Sequence, residues 1–307
     1  MGALKTTAIR LAVLLVLQTP WLEASRAQAA GSPKLDEQVT IQEGIYRSRG
    51  EDVPEGYIVG RSLLSYTFAL ASEFDRSLAD LGPQDRWLDI GAGEGRAILD
   101  YYTERYDSMH AAGRERRGKK ARAVAISIED RRTSRWHQTA ASLEKDKIQY
   151  LFNRRLREYS LEDLGRFQLM TDVAGGFSYA FDLSLFVEKA LGFLEINGRF
   201  FTLLQDVHLE AGSNQPYHPG SPFLTELVNA DGSEMRVCSW LKSIGCVQVA
   251  CEPKADWKPP LEVYRIHKVC NDVTVPALVP VQFEAGTPPE RRYRLRDPLA
   301  GPARAAR

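Results

Sequence analysis

Short apolar runs alternate along most of the chain with segments in which apolar residues recur every three or four positions. The first pattern predicts buried strands, and the second predicts amphipathic helices. The predicted strands are Trp87–Ile90, Arg122–Ile128, Lys147–Phe152, Phe167–Asp172, Arg199–Leu204, Cys246–Cys251 and Leu261–Val269. The predicted helices are Leu63–Leu81, Ala97–Tyr106, Ser134–Leu143, Leu183–Leu194 and Val237–Ile244. Strands that alternate with helices in this way predict an α/β fold with a mostly parallel sheet.

The stretch from Arg86 to Arg96, RWLDIGAGEGR, joins the first predicted strand to a helix through a glycine-rich turn. Glycine suits such a turn because it adopts positive φ and, lacking Cβ, lets the backbone approach a ligand closely. The dinucleotide-binding fingerprint G-x-G-x-x-G requires its third glycine at the position that Arg96 occupies here. The spacing therefore argues against NAD or FAD as the ligand.

What fits the stretch is the order apolar, apolar, Asp, apolar, Gly-x-Gly-x-Gly, with Asp89 two residues before Gly91. In this order the chain resembles the class I S-adenosylmethionine-dependent methyltransferases, and the resemblance extends from about residue 58 to residue 270. It implies an α/β fold with a doubly wound, mostly parallel seven-stranded sheet and a final antiparallel hairpin. It also implies S-adenosyl-L-methionine as the cofactor, and methyl transfer to an unidentified acceptor, for which a small molecule is favoured.

The resemblance assigns the cofactor to the turn after the first strand. Gly91, Gly93 and Gly95 are expected to contact it through the backbone, with Asp89 ordering the loop. The loop also carries Glu94, and an acidic loop suits a cationic sulfonium better than a phosphate, which favours bare N–H groups and positive charge.

The ribose and adenine contacts are expected after the second and third strands. In the resembled family an acid near the end of the second strand accepts hydrogen bonds from both ribose hydroxyls. Ser127 occupies the commonest position of this acid, so the role passes to Glu129 or Asp130. Asp130 as a helix N-cap is an equal alternative. After the third strand the family often has an acid near the adenine amino group, and here Asn153 would serve through its side-chain carbonyl.

Three residues are candidates for a catalytic role. Asp172 ends the fourth strand and Tyr179 lies in the loop behind it, so both are expected at the crevice where the first and fourth strands end. Asp172 is expected to contact the cofactor or to position a nucleophile, and a capping role is the alternative. His208 follows the fifth strand, and imidazole suits a general base because it titrates near neutral pH. A structural or solvent-exposed histidine is the alternative.

The amino terminus differs from the rest of the chain. Lys5 and Arg10 precede an unbroken apolar run from Leu11 to Leu17, and Ala27-Gln28-Ala29 has the small-x-small pattern of a cleavage site. This predicts a secretory signal peptide and an exported protein, periplasmic or secreted, with a cytoplasmic protein as the alternative. The run is shorter than the roughly 20 apolar residues of a membrane span, so no stable span is expected after cleavage.

The predicted divisions follow from these patterns. They are a signal peptide over 1–29, a helical lead-in over 30–84, the methyltransferase-like domain over 85–272 and a Pro/Arg-rich tail over 273–307. The chain has 40 basic and 40 acidic residues, so its overall charge predicts no nucleic-acid partner. The basic stretch 111–122 lacks the interleaved aromatic residues of a stacking platform and is interpreted as a solvent loop.

All four cysteines lie near the carboxyl end of the predicted domain, at Cys238, Cys246, Cys251 and Cys270. Their gaps do not match the paired C-x-x-C spacing of zinc sites, and no metal site is predicted. If the chain is exported, at least one disulfide is expected, with three connectivities open; if it is not, the cysteines are small buried residues.

Two alternatives to an active enzyme stay open. In one, the fold binds the cofactor without turnover, which Ser127 and the absence of an acid after the third strand favour. In the other, an exported protein uses the scaffold for partner binding and never meets a cofactor that is made and mostly kept in the cytosol. The predicted signal peptide favours the second alternative.

Overall fold

The computed structural model describes residues 35–47, 60–71, 73–103, 120–209, 215–216, 220 and 222–297. All the elements below lie in the compact unit that runs from Leu35 to Arg307. The predicted signal peptide lies outside the described residues, as does most of the basic stretch 111–122. Among the described residues, the structure has no helix with the length and apolar character needed to cross a membrane.

A seven-stranded sheet forms the centre of the fold. Its strands are β1 (Arg86–Ile90), β2 (Arg122–Ile126), β3 (Ile148–Leu151), β4 (Phe167–Asp172), β5 (Leu194–Gln205), β8 (Val247–Lys254) and β9 (Leu261–Lys268). They lie in the order β3-β2-β1-β4-β5-β9-β8. The first five pair in parallel, and β9 lies antiparallel to both β5 and β8. The predicted class I methyltransferase fold, with its final antiparallel hairpin, is confirmed.

Helices cover both faces of this sheet. They are α1 (Leu35–Arg47), α2 (Leu63–Ala69), α3 (Glu73–Ala79), α4 (Arg96–Tyr102), α5 (Ser134–Ser142), α6 (Leu161–Leu164), α7 (Gly176–Tyr179), α8 (Leu183–Phe193) and α9 (Val237–Lys242), with a 3-10 turn at Leu156–Glu158. Alternate residues of β1 enter different apolar cores. Leu88 belongs to the core that contains Val187 of α8, whereas Trp87 belongs to the core that contains Leu78 of α3 and Ile98 of α4. Burial on both faces explains the continuous apolar pattern of the parallel strands.

The single helix predicted over Leu63–Leu81 is wrong, because the structure has two helices there, α2 and α3. Leu70 ends α2 in an extended conformation, with φ −85° and ψ 173°. The Lys254 ammonium donates to the carbonyl oxygens of Phe68 and Leu70, at 2.8 and 2.6 Å. A charged donor thus satisfies carbonyls that the helix end leaves unpaired. Because this donor lies on β8, the local periodicity of residues 63–81 contains no sign of the break.

The Pro/Arg-rich segment predicted as a tail contains two strands of a second sheet. This sheet has the order β10-β11-β6-β7 and consists of β6 (Thr225–Val228), β7 (Glu234–Met235), β10 (Leu278–Glu284) and β11 (Glu290–Leu295). Along β11, Arg291 and Tyr293 are buried while Arg292 is exposed. The Arg291 guanidinium donates to the Ala180 carbonyl at 2.9 Å and to the Thr225 hydroxyl at 2.8 Å. These distant partners pack β11 against the domain, so this part of the predicted tail belongs to the fold.

Two disulfides tie the carboxyl-terminal elements together. Cys238 of α9 bonds to Cys251 of β8, and Cys246, just before β8, bonds to Cys270, just after β9. The two sulfur atoms of the first pair lie near the buried Glu262 carboxylate. The two sulfur atoms are bonded to each other, so in this structure they form a covalent crosslink. The sequence left the connectivity open, and the structure selects one of the three.

Thiol titration tests this covalent framework. We expect the denatured, unreduced protein to have no free thiol. Replacing Cys238 and Cys251 together by serine is expected to lower the free energy of unfolding by about 3 kcal/mol, because a 13-residue separation is then no longer closed in the unfolded chain. Urea unfolding with and without reductant measures the effect, and the variant without any cysteine, which reductant should leave unchanged, is the control. Four free thiols would contradict the pairing.

Candidate functional site

A cleft opens at the carboxyl ends of β1, β2 and β4. Its cavity volume is about 190 Å³. The residues that line it at the strand ends are Ile90, Gly91, Gly93, Ile126, Ser127, Ile128, Ala174, Gly175 and Gly176. Open α/β sheets bind ligands in the crevice outside the carboxyl ends of their strands. The cleft lies at this position.

Two glycine loops meet at the floor of the cleft. A Cβ on Gly91 would lie 2.6 Å from the Gly175 Cα, and a Cβ on Gly175 would lie 2.6 Å from the Ile90 carbonyl oxygen. Gly91 and Gly93 adopt positive φ, at 71° and 55°. The two loops therefore pack backbone against backbone, which side chains at these positions would prevent. The main chain itself forms this part of the ligand space.

Gly95, the third glycine of the predicted motif, serves packing instead of the cleft. A Cβ at this position would overlap with the Trp136 ring. Trp136 packs edge-on against Tyr150, with ring centres 5.1 Å apart. The Tyr150 hydroxyl in turn donates to the Gly93 carbonyl. An aromatic pair thus supports the glycine loop from behind.

Asp89 lies completely buried beneath the glycine loop and does not line the cleft. Its Oδ1 accepts hydrogen bonds from the Tyr66 hydroxyl at 3.0 Å and the Thr171 hydroxyl at 2.7 Å. The Trp87 indole donates to the Thr171 hydroxyl oxygen at 2.9 Å. Burial raises the pKa of Asp89 to about 7, although both hydrogen bonds lower it. This network ties α2 and β4 to the strand that precedes the glycine loop.

Asp172 is also completely buried and does not line the cleft. Its Oδ1 accepts from the Gly175 N–H at 2.9 Å, and its Oδ2 accepts from the Phe177 N–H at 3.0 Å. Burial raises the pKa of Asp172 to about 7, against the lowering effect of these backbone donors. The geometry matches the capping alternative, because the carboxylate fixes the loop from β4 into α7.

The residues predicted for ribose and adenine lie outside the lining of the cleft. The Asp130 carboxylate pairs with the Arg132 guanidinium at 2.7 Å, and the Glu129 carboxylate pairs with the Arg131 guanidinium at 2.9 Å. Neither these carboxylates nor Asn153 line the cleft, whereas Ser127 does. The structure therefore brings a hydroxyl to the wall where the sequence predicts a carboxylate.

Of the predicted catalytic residues, Tyr179 reaches the cleft. It also lines a smaller cavity of about 10 Å³ at the end of β5. His208 lines neither cavity. Its ring stacks on Phe223 with the ring centres 3.5 Å apart, and its Nε2 lies 3.9 Å from the Glu226 carboxylate. These contacts match the structural alternative for His208.

The far wall of the cleft was not predicted from the sequence. Val39 and Gln42 of α1, Leu185 and Phe186 of α8, and Phe283 of β10 line it. No local pattern marks these residues as a group, because they come from three elements that meet only in the fold. Four arginines were also missed, namely Arg61, Arg154, Arg155 and Arg157. The basic pair at 154–155, directly after β3, was the available signal.

No family model and no curated protein matches the chain. Several solved structures do. A 1,6-didemethyltoxoflavin-N1-methyltransferase from Burkholderia thailandensis, with 1,6-didemethyltoxoflavin and S-adenosylhomocysteine bound, matches at 14% identity and a TM-score of 0.40, over 86% of this chain and 94% of that chain. The glycopeptide N-methyltransferase MtfA, complexed with S-adenosyl-L-methionine, matches at 14% identity and a TM-score of 0.39, over 65% of this chain and 92% of that chain.

A third match is a geranyl diphosphate methyltransferase in complex with GPP and sinefungin. It has 14% identity and a TM-score of 0.32, and the match covers 44% of this chain and 44% of that chain. The chain therefore spans less than half the length of this protein. All three matches are methyltransferases with low sequence identity to this chain.

The pH dependence of stability tests the burial of Asp89. Its pKa rises on folding from 3.8 to about 7, so between these values the native state holds a proton that the unfolded chain has released. The free energy of unfolding therefore falls as the pH rises through this range. We expect Asp89→Asn to make the fall smaller, because one titrating group is gone. Urea unfolding at a series of pH values measures this.

Asp231→Asn is the matched control for this measurement. The exposed Asp231 carboxylate accepts hydrogen bonds from Ser233, which lower its pKa. Removing the Asp231 carboxylate should therefore not reduce the fall in the free energy of unfolding as the pH rises. An identical pH profile for the wild type and Asp89→Asn would contradict a buried Asp89 with a raised pKa.

Proposed function

We propose that this chain, whose fold is that of the class I methyltransferases, binds S-adenosylmethionine in the cleft and transfers its methyl group to an acceptor. The observation that carries the proposal is the glycine loop after β1, where Gly91 and Gly93 line the cleft in the left-handed conformation. Arg96 takes the place of the third glycine that a dinucleotide fingerprint requires. The loop therefore favours this cofactor over NAD or FAD.

The lining residues fit such a cofactor at several points. The main chain of Gly91 and Gly93 would hold its amino-acid end, and the Arg61 guanidinium suits a carboxylate. The Ser127 hydroxyl, which both donates and accepts hydrogen bonds, suits the ribose. Ile128, which also lines the cleft, offers an apolar contact for the adenine. These assignments rest on the cradle that the two glycine loops form without side chains.

Three contacts expected from the sequence remain predictions. They are a ribose contact by Glu129 or Asp130 and an adenine contact by Asn153. In their favour, all three lie within four residues of the end of β2 or β3. Each would have to turn towards the ligand, and the two carboxylates would have to exchange their arginine partners for it.

The bound cofactor supplies an electrophilic methyl group on a sulfonium sulfur. The chain's own task is then to exclude water and to hold the acceptor in line with that group. We assign the orientation of the acceptor to Tyr179, because it lines the cleft at the end of α7, the helix that follows β4. Asp172 contributes by capping the loop at Gly175. A general-base role for His208 stays a prediction, since its ring packs on Phe223.

Calorimetric titration with S-adenosylhomocysteine tests the cofactor site. We expect the wild type to bind it and Gly93→Arg to bind at least ten times more weakly, because the new side chain starts at the wall of the cleft. Gly232→Arg is the matched control. Gly232 also has positive φ, at 87°, but a Cβ there meets nothing within 4 Å. Both variants therefore carry similar backbone strain, and only one fills the cleft.

Two results would contradict the proposal. If the wild type binds neither S-adenosylmethionine nor its demethylated product, the cofactor assignment is wrong. If Gly93→Arg and Gly232→Arg bind as the wild type does, the cofactor lies elsewhere. Thermal unfolding of both variants shows whether each has kept the fold.

We also propose that the chain is exported to an oxidising compartment. Its two disulfides support this, because such bonds persist outside the cytosol and are rare within it. The same observation favours a second candidate function, a non-catalytic protein that uses the methyltransferase-like scaffold to bind a partner. Ser127, at the usual position of the ribose acid, also favours this alternative.

Fractionation of cells that express the full-length chain with a carboxyl-terminal tag tests the location. We expect disulfide-bonded protein that lacks residues 1–29 outside the cytoplasm. Leu14→Arg interrupts the apolar run of the predicted signal peptide and should leave the chain uncleaved in the cytoplasm. Wild-type protein that is cytoplasmic, uncleaved and reduced would contradict export, and it would remove the objection that exported protein does not meet the cofactor.

A further inference from the structure

The far wall of the cleft comes from elements that lie outside the strand ends. Val39 of α1, Leu185 and Phe186 of α8, and Phe283 of β10 form this wall, which we call the apolar wall. Leu185 is 44% exposed although it lines the cleft, so it presents apolar surface to the open space. Gly91, Gly93 and Ser127, which we assign to the cofactor, lie at the ends of β1 and β2, whereas Phe186 of the apolar wall packs against Gly176 after β4. The cleft therefore has an apolar part that the proposed cofactor contacts do not use.

Specific hydrogen bonds hold the apolar wall in place. The Gln42 Oε1 accepts from the Gly286 N–H at 2.8 Å, and the Gln38 Oε1 accepts from the Ala285 N–H at 3.0 Å. These bonds join α1 to the chain just after β10. Phe283 packs edge-on against Phe181, with ring centres 5.3 Å apart. The wall is therefore a built feature in which the amino-terminal helix and the second sheet meet.

The second sheet is itself anchored beside the cleft. The Tyr293 hydroxyl and the Arg291 guanidinium both donate to the Ala180 carbonyl, each at 2.9 Å. Ala180 lines the cleft between α7 and α8. Two buried side chains of β11 thus position Ala180, which precedes α8 and its wall residues Leu185 and Phe186.

The charges of the lining are strongly unbalanced. Among the described residues, four arginines line the cleft, Arg61, Arg154, Arg155 and Arg157, against one acidic residue, Asp182. The Arg154 guanidinium also pairs with the Asp163 carboxylate at 3.1 Å. The Asp182 Oδ1 accepts from the Leu185 N–H at 3.0 Å and so caps α8. The whole chain, in contrast, has 40 basic and 40 acidic residues. The positive lining is therefore a local property of the cleft.

The proposed cofactor does not account for this excess. S-adenosylmethionine has a sulfonium, an ammonium and one carboxylate, so it brings one more positive charge than negative charge. Its carboxylate needs one cationic partner, for which Arg61 suffices. Arg154, Arg155 and Arg157 follow β3 and flank Leu156, which also lines the cleft. Guanidinium groups at the edge of an apolar space match a ligand with an apolar body and an anionic group.

We propose that the apolar wall and the arginines at 154, 155 and 157 form the acceptor site, and that the acceptor is a small anionic amphiphile. Its apolar body lies against Leu185, Phe186 and Phe283, and its anionic group lies at the arginines. This inference rests on the proposed function, because the site is an acceptor site only if the strand ends hold the cofactor. It adds the class of acceptor, which the fold leaves open.

Titration of the full chain with decanoate, below its micellar concentration, tests the acceptor class. We expect decanoate to bind both in the absence and in the presence of saturating S-adenosylhomocysteine, with less than a threefold change in Kd. Decyltrimethylammonium has the same chain length and the opposite charge. We expect it to bind at least ten times more weakly, because it meets the arginines with a like charge.

Two matched pairs of variants locate the site. Leu185→Ser should weaken decanoate binding about tenfold, and Leu161→Ser should not, because both leucines are exposed, at 44% and 42%, but Leu161 does not line the cleft. Arg157→Gln should weaken the binding of decanoate and should not weaken the binding of decyltrimethylammonium. Arg294→Gln removes an exposed guanidinium on β11 and is its control.

The possible results separate the two proposals. If S-adenosylhomocysteine binds and decanoate does not, the acceptor class is wrong and the cofactor assignment stands. If S-adenosylhomocysteine displaces decanoate, the apolar wall belongs to the cofactor site and the inference is wrong. If decanoate binds and S-adenosylhomocysteine does not, the proposed function is wrong, and the assignment of an acceptor site falls with it.

Discussion

The close approach of two glycine loops is the constraint on which the rest of this structure depends. A Cβ on Gly91 would lie 2.6 Å from the Gly175 Cα, and a Cβ on Gly175 would lie 2.6 Å from the Ile90 carbonyl oxygen at the end of β1. Each loop is fixed by a fully buried carboxyl group, because Asp89 anchors the strand before the first loop and Asp172 caps the second. Burying these groups is costly, and it is compensated by donors that the fold supplies. The result is a rigid floor of main chain at the crevice of the sheet.

Much of the core fold could be predicted from the sequence, because its signals are local. Parallel strands that are buried on both faces give continuous apolar runs, as at Trp87–Ile90, and the glycine spacing after β1 is a short motif. The site was predictable to the same extent. Gly91, Gly93 and Tyr179 line the cleft, since the end of a parallel strand sets the position of the residues that follow it.

What could not be predicted depends on contacts between distant parts of the chain. Lys254 satisfies the carbonyls that end α2, and Arg291 acquires its partners at Ala180 and Thr225 only when β11 joins the second sheet. Burial also decides what a carboxylate does. Asp172 stands at the predicted strand end, yet its oxygens point to backbone N–H groups instead of the cleft. The amino-acid pattern gives the position of such a side chain along a strand but not the groups that compete for it.

The central claim is that the glycine-lined cleft is an S-adenosylmethionine site, and a crystal structure with S-adenosylhomocysteine tests it most directly. The account predicts the ligand in the cleft, with main-chain atoms of the loop from Gly91 to Gly93 within about 3 Å of its polar atoms and the Ser127 side chain beside its ribose. A ligand bound at any other position, or a cleft that stays empty in crystals grown at saturating ligand, would contradict the account.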